Sequence, residues 1–282
     1  SAKLLLNDAC NDIGIDFEEL LFTQNDKLDK TEFTQPAIVL NSLMSYLAFS
    51  EGIKAKPEFS LGHSLGEFTA LAVSGAFSFV EAIRLVNLRG KFMQEACIGK
   101  DAGMMVVLGL SDEVVEGICK EAQDEGLQIY AANYNCDGQI VVAGVRADLA
   151  KYEVKFKEAG AKRAMLLNMS VASHCPILEP ASVKLANELE GVLAANFAPV
   201  VSNVNAKIYT DKKEALVLLK EQLTHPVRYK QSIKNYENEV DCFIELGAAT
   251  LKGINKKITE KPTYSVTDMA SLEEVVKILE ER

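Results

Sequence analysis

The sequence predicts an α/β fold with a mainly parallel sheet and flanking helices. Apolar segments of strand length alternate along the chain with amphipathic helical segments, which is typical of a parallel sheet covered on both faces. The 282 residues, with 48% hydrophobic and 25% charged positions, suffice for a full globular core. We therefore expect one domain, or one domain that carries an insertion.

The first hundred residues show the strand, turn and helix order of an α/β-hydrolase-like core. A helix is predicted for residues 37–49, with Pro36 near its first turn, and a short strand for residues 58–61. The residues Ser-Phe-Val-Glu at 78–81 form a capping-box pattern, which predicts a helix to about residue 97. The strand at 58–61 ends in a serine between two glycines, and another helix follows at once.

Residues 101–169 are predicted to form an inserted ferredoxin-like subdomain. Their apolar pattern follows the order β-α-β-β-α-β, and Asp137-Gly138 is a strong hairpin signal between the two central strands. The α/β catalytic core is then expected to comprise residues 1–100 and 170–282. Its second part is predicted to contain helices at 177–195, 212–223, 251–258 and 271–281, an extended segment at 200–208 and a buried strand at 242–246.

The composition excludes several classes of protein. A formal net charge of −10 and a pI near 5.0 argue against nucleic acid as a partner. The six cysteines form no C-x-x-C pair, so we expect a reduced, cytoplasmic protein without a metal site. No apolar segment reaches the roughly 18 uncharged residues that a membrane helix needs, so we expect neither a membrane span nor a signal peptide.

The central motif is a G-x-S-x-G pattern in which Ser64 lies between Gly62 and Gly66. By itself this pattern is a weak indication, since it also describes a glycine-rich turn. Its position between a strand and a helix favours a nucleophile held in a sharp turn. In that geometry the backbone N–H of Leu65 can point at a developing oxyanion.

A serine nucleophile needs a base, and the chain offers only three histidines. His174 lies in a polar loop where the chain leaves the insertion, and we predict that it is the base rather than a surface-loop residue. His63 adjoins the nucleophile across the turn and is interpreted as structural. His225 precedes a proline after a predicted helix and is the weaker alternative as base.

Arg89 falls in the middle of the apolar stripe of the helix that begins near residue 78. A buried guanidinium is costly without an anionic partner, and its planar fork suits a carboxylate. We interpret Arg89 as a receptor for a substrate carboxylate. The alternatives are an internal ion pair and a side chain that reaches outward to solvent.

At these residues the chain resembles the malonyl-CoA:acyl carrier protein transacylases of fatty acid synthesis and, more loosely, the acyltransferase domains of polyketide synthases. Three blocks carry the resemblance: GHSLGEFTAL around Ser64, RGKFMQEA from Arg89, and VASHC ending at Cys175. The likeness extends from about Thr34 to Asp268 and includes the insertion. Ordered blocks of this kind are far more specific than the serine motif alone.

The resemblance implies a role for each matching position. Ser64 would carry the malonyl group as an ester, with His174 as base and later as acid. Arg89 would hold the free carboxylate, and the Leu65 N–H would form half of the oxyanion hole. Gln222 matches a position whose backbone carbonyl orients the histidine. The pair Ser64 and His174 would thus work without a carboxylate third member.

One feature of the family is not found in this sequence. Family members begin with a strand and a GQGSQ-like turn, whose last glutamine donates the second N–H to the oxyanion. The sequence has no such motif and no initiating Met, so we expect it to begin inside a longer gene product, with this segment outside the numbering.

These observations predict a transferase that moves malonyl from malonyl-CoA to the phosphopantetheine thiol of an acyl carrier protein, with no metal or redox cofactor. Carrier proteins are acidic, so local basic clusters at Lys162 and Arg163, or at Lys252, Lys256 and Lys257, are candidate contacts or simply solvated faces. The alternatives are a serine thioesterase or other hydrolase, and a catalytically silent module that binds the carrier.

Overall fold

The computed structural model describes residues 1–53 and 56–281, and it has an α/β fold. Helices and strands alternate from residue 102 onward, whereas the described residues before it form helices and one isolated bridge. The helices are α1 (Ala2–Ile13), α2 (Phe17–Phe22), α3 (Thr31–Gly52), α4 (Gly66–Val73), α5 (Phe79–Cys97), α6 (Asp112–Asp124), α7 (Arg146–Glu158), α8 (Glu179–Glu190), α9 (Lys212–Gln222), α10 (Tyr229–Tyr236), α11 (Thr250–Asn255) and α12 (Met269–Glu280). The strands are β1 (Ala102–Leu108), β2 (Ile129–Cys136), β3 (Gln139–Val145), β4 (Arg163–Leu166), β5 (Asn196–Val201), β6 (Ile208–Asp211), β7 (Phe243–Leu246) and β8 (Thr263–Val266).

Residues 102–166 build a four-stranded antiparallel sheet with the strand order β2-β3-β1-β4. The chain connects β1 to β2 through α6, and β3 to β4 through α7. The hairpin between β2 and β3 turns at Asp137 and at Gly138, whose φ of 72° is left-handed, which confirms the predicted hairpin. Met105, Val142 and Phe156 belong to a hydrophobic cluster made only of residues from this part of the chain.

The prediction of a mainly parallel sheet is wrong for the strands described outside this part. β5 and β6 pair antiparallel, and only β7 and β8 form a parallel ladder. The predicted extended segment at 200–208 instead contains a turn at 202–207, in which Ala206 has a φ of 56°. Because a parallel crossover needs about a dozen residues or more, so short a connection produces a hairpin. The predicted strand at 58–61 is reduced to one parallel bridge between Ser60 and Val200.

Helix α3 begins at Thr31, so Pro36 lies inside the helix and not in its first turn. A proline in a helix interior leaves the carbonyl four residues earlier without its N–H donor. Here that carbonyl belongs to Glu32 and accepts a hydrogen bond from Asn87 Nδ2 of α5 at 2.7 Å. A Cβ on Gly90 would lie 2.6 Å from the Thr31 carbonyl oxygen, so the two helices pack very closely. This packing fixes α5 against α3.

Four elements have no counterpart in the prediction: α1, α2, α10 and β8. Helix α2 has only six residues and β8 only four, too few for a periodic pattern to be recognised. No helix in the described part of the chain is long and apolar enough to cross a membrane.

Candidate active site

Ser64 lies in the turn between the Ser60 bridge and α4, with a left-handed φ of 55°. This conformation is strained for a residue with a side chain and is typical of functional sites. A Cβ on Gly62 would come within 2.0 Å of the Gly66 carbonyl carbon, whereas a Cβ on Gly66 would meet nothing within 4 Å. Only the first of the two flanking glycines is therefore required by close backbone approach.

Asn203 holds this turn from both sides. Its Oδ1 accepts a hydrogen bond from the Ser64 N–H at 2.7 Å, and its Nδ2 donates to the Gly62 carbonyl at 2.7 Å. Asn203 follows β5 and is almost fully buried. No sequence pattern points to this residue, since an asparagine after a strand carries no local signal for a contact with a turn 139 residues away.

The His174 ring lies beside the Ser64 side chain, with Nε2 2.7 Å from Ser64 Oγ. Its Nδ1 is 2.7 Å from the backbone carbonyl oxygen of Gln222. A carbonyl can only accept, so Nδ1 carries the proton and Nε2 is free to accept the Ser64 hydroxyl. Burial, reinforced by the positive charge of Arg89, lowers the pKa of His174 to about 3. The ring is thus a neutral base at physiological pH.

Arg89 projects from α5 into the same site and is only 1% exposed. Its Nη2 donates to Ser64 Oγ at 3.0 Å and to Gln222 Oε1 at 3.2 Å, and its Nη1 donates to Gln35 Oε1 at 2.6 Å. Burial lowers its pKa to about 10, against the opposing charge of Glu67, so the guanidinium stays charged. Arg89 forms no direct ion pair among the described residues and does not point outward, since it is buried and its hydrogen bonds are all with neutral groups.

Leu65 precedes α4 as its N-cap residue, directly after Ser64. Helix N-termini leave backbone N–H groups without intrahelical acceptors, and such groups suit a developing negative charge. The N–H of Gly66, by contrast, already donates to the His63 carbonyl at 3.1 Å.

The two remaining histidines do not reach the Ser64 hydroxyl. His63 Nε2 lies 2.8 Å from Asn135 Oδ1 of β2, and its ring packs against Tyr229, consistent with a structural role. His225 is exposed, and its Nδ1 lies 3.0 Å from the Glu221 carbonyl. Among the three, the geometry selects His174.

The basic side chains proposed as carrier contacts, Lys162 and Arg163 after α7 and Lys252, Lys256 and Lys257 in and after α11, are all exposed. No group of three or more His, Cys, Asp or Glu side chains in the described residues could hold a metal ion. The arrangement as a whole offers a serine hydroxyl, a neutral base that can take its proton, and a buried cation beside both.

Comparison with known proteins supplies the family context. Residues 6–276 match the family model described as acyl transferase domain. The malonyl CoA-acyl carrier protein transacylase of Haemophilus influenzae is 38% identical over 259 residues, which cover 90% of this chain and 83% of that protein. The protein of the same name from Bacillus subtilis is 35% identical over 287 residues, covering 100% of this chain and 90% of its own length.

Solved structures agree with the sequence relatives. The crystal structure of malonyl-CoA:acyl carrier protein transacylase from Helicobacter pylori superposes with a TM-score of 0.95 at 44% identity, covering 99% of this chain and 90% of that one. A malonyl-transacylase solved in complex with its type II polyketide synthase acyl-carrier protein matches with a TM-score of 0.93 at 36% identity, covering 98% and 91%.

Proposed function

Because the chain belongs to the acyl transferase domain family and to its malonyl CoA-acyl carrier protein transacylases, we propose that it transfers a malonyl group from malonyl-CoA to the phosphopantetheine thiol of an acyl carrier protein in fatty acid biosynthesis. One observation carries the proposal. Ser64 Oγ lies 2.7 Å from the neutral base His174 and 3.0 Å from the buried cation Arg89. A nucleophile and a carboxylate receptor thus share one site.

In the first half-reaction Ser64 Oγ attacks the thioester carbonyl carbon of malonyl-CoA. His174 Nε2 takes the hydroxyl proton as the C–O bond forms, and the Leu65 N–H donates to the oxyanion of the tetrahedral intermediate. The intermediate collapses with cleavage of the C–S bond, and the CoA sulfur leaves with the proton that His174 returns. The Gln222 carbonyl accepts the Nδ1–H of His174 throughout and stabilises the imidazolium.

The second half-reaction reverses these steps with a new thiol. The phosphopantetheine thiol gives its proton to His174 and attacks the malonyl ester carbon. The C–O bond to Ser64 then breaks, and Ser64 Oγ recovers a proton from His174. The product is malonyl on the carrier thiol, and the enzyme returns to its starting state.

Arg89 is the proposed receptor for the free carboxylate of the malonyl group. Its Nη2 is already within 3.0 Å of the atom that carries the acyl group, and a guanidinium binds a carboxylate through two parallel N–H donors. A thioesterase with the same serine and histidine has no need of this cation, which favours the malonyl transferase over the hydrolase. The alignment of the Ser64 hydroxyl with His174 favours either enzyme, transferase or hydrolase, over a silent binding module.

We extend the proposal to the domain organisation and the location of the protein. The strand order β2-β3-β1-β4 with two crossing helices supports a ferredoxin-like subdomain at 101–169, inserted into a core of residues 1–100 and 170–282. The free thiols of Cys97, Cys119 and Cys175 support a reducing, cytoplasmic location.

Intact-mass measurement after incubation with malonyl-CoA tests the proposed function. We expect the wild-type chain to gain one malonyl group, and Ser64→Ala to gain none. Ser45→Ala is the matched control, since the Ser45 hydroxyl donates to the Asn41 carbonyl within α3. Adding a phosphopantetheinylated acyl carrier protein should remove the adduct and transfer its mass to the carrier. A wild-type chain that takes up no malonyl group, or that only releases free malonate, would rule the transferase out.

A further inference from the structure

Glu67 is a buried carboxylate that neither half-reaction uses. It lies in the first turn of α4, is 1% exposed, and forms no ion pair among the described residues. Three donors surround it: Gln222 Nε2 at 2.7 Å and the Asn203 N–H at 3.2 Å reach Oε2, and the Tyr209 hydroxyl reaches Oε1 at 2.8 Å. A buried carboxyl that forms no direct ion pair is costly to ionise, so this arrangement needs a reason beyond packing.

Two of its three donors belong to residues that touch the reacting groups. The Gln222 carbonyl holds His174 Nδ1, and the Gln222 side chain contacts both the Ser64 carbonyl and the Arg89 guanidinium. Asn203 binds the Ser64 N–H and the Gly62 carbonyl. Glu67 is therefore the common anchor behind base, nucleophile and carboxylate receptor, although it touches none of their reacting atoms.

The amide of Gln222 shows how this anchor works. Its Nε2 donates to Glu67 Oε2 and to the Ser64 carbonyl at 3.0 Å, so its Oε1 must face Arg89 Nη2. A turned amide would place NH₂ against the guanidinium, donor against donor, and its oxygen against the carboxylate. Glu67 thus fixes the one amide orientation that Arg89 can use.

We propose that Glu67 is a positioning residue, which holds Gln222 and Asn203 so that Arg89, His174 and Ser64 keep their mutual geometry. This inference rests on the proposed function for its malonyl readout, but not for its geometry. If Glu67 acts by positioning its neighbours, the length of its side chain should affect the site more than its charge does. A glutamine can still accept from Gln222 and Asn203 through its oxygen, while its NH₂ donates to the Tyr209 hydroxyl. An aspartate keeps the charge but is one methylene too short to reach all three donors.

The test compares Glu67→Asp and Glu67→Gln with the wild-type chain in two assays. The first is the rate at which a fluorophosphonate labels Ser64, which needs no acyl substrate. The second is the ratio of kcat/KM for malonyl-CoA to that for acetyl-CoA. Glu116→Gln is the matched control, since Glu116 also accepts from a tyrosine hydroxyl, that of Tyr134 at 2.6 Å, but lies in α6.

We expect Glu67→Asp to be labelled about tenfold more slowly and to lose malonyl preference, and Glu67→Gln to stay within about threefold of wild type, as for a displaced positioning group. Glu116→Gln should match wild type. Equal labelling of Glu67→Asp and wild type, or a slower rate for Glu67→Gln than for Glu67→Asp, would overturn the inference.

Two other results would separate the positioning role of Glu67 from the proposed function and from a failure to fold. If wild type takes no malonyl group but the labelling order holds, the proposed function fails and the positioning role stands. If circular dichroism shows that neither Glu67 variant folds, Tyr209→Phe keeps Glu67 and removes one anchor. Labelling of that variant at the wild-type rate would also overturn the inference, and slower labelling of the folded variant would support it.

Discussion

Arg89 Nη2 and Ser64 Oγ lie 3.0 Å apart in the buried site, and the same Oγ lies 2.7 Å from His174 Nε2. In the proposed reaction this guanidinium holds the far end of the malonyl group while the near end is bonded to Ser64. A cation of this kind distinguishes acyl groups by their charge.

Replacing Arg89 with Ala should therefore affect malonyl transfer selectively. We expect kcat/KM for malonyl-CoA to fall about a hundredfold, because a charge-assisted hydrogen bond to a carboxylate contributes about 3 kcal/mol, and kcat/KM for acetyl-CoA to fall by less than about tenfold. Steady-state rates with both substrates measure the difference. Arg84→Ala is the control, since Arg84 lies on the same helix but pairs with Glu188 at 3.0 Å. Equal losses for both acyl groups would refute the carboxylate receptor.

The pH dependence of acylation should show no titration of a histidine near its ordinary pKa. Because burial and Arg89 lower the pKa of His174 to about 3, the neutral base persists as pH falls and is lost only in strong acid. The rate of Ser64 acylation by acetyl-CoA should then change little between about pH 5 and about pH 8. The acylation rate is measured again in Glu67→Gln, because Glu67 has a pKa of about 7 and its titration could otherwise be mistaken for that of His174. A limb near pH 6.5 in both proteins would contradict a neutral, buried base.

The two glycines of the serine motif should respond very differently to alanine. Gly62→Ala forces a Cβ to within 2.0 Å of backbone and should lower the free energy of unfolding by about 3 kcal/mol or more. Gly66→Ala adds a Cβ in open space at the start of α4 and should raise the free energy of unfolding by up to about 1 kcal/mol. Urea unfolding followed by circular dichroism measures both. Similar changes for the two variants would show that the turn is not closed as described.

The contribution of Glu67 to stability should fall with rising pH. Burial raises the pKa of this carboxyl from 4.5 to about 7, against the hydrogen bonds from Gln222 and Tyr209. The folded state therefore binds the Glu67 proton more tightly than the unfolded chain does. The resulting contribution of Glu67 to the free energy of unfolding is complete below about pH 4.5 and is lost as pH rises through about 7. The unfolding free energy of Glu67→Gln minus that of wild type should therefore increase with pH. The increase between about pH 5 and about pH 8 should be up to about 3 kcal/mol. Parallel curves for the two proteins would contradict this.

Local patterns predicted much of the secondary structure. The Ser78 cap of α5 is observed, with the Ser78 hydroxyl accepting from the Glu81 N–H at 3.1 Å. The Glu81 side chain, however, bonds Arg84 instead of closing the capping box. The predicted hairpin at Asp137-Gly138 also depends on residues next to one another in sequence, as do the Ser111 cap of α6 and the left-handed Gly126 that follows this helix. Interactions within one turn depend on neighbours along the chain, which the sequence displays directly.

Strand direction was decided by the length of a connection and not by the strands themselves. Residues 196–201 and 208–211 are both extended, as their composition favours, but the six residues between them permit only an antiparallel return. The early start of α3 has a similar cause. Asn87, from another helix, satisfies the carbonyl that Pro36 leaves open. Neither feature can be read from the segment in which it occurs.

Sequence patterns alone singled out three candidate features of the site: a serine in a tight turn, a small choice of histidines, and an arginine on an apolar stripe. Folding is what brings Ser64 to a histidine 110 residues away, and Gln222 to Glu67, 155 residues away, behind them. Hydrophobic periodicity predicts which face of a helix or strand is buried. It does not record which polar atoms meet there, because each of those hydrogen bonds depends on the packing of separate elements against one another.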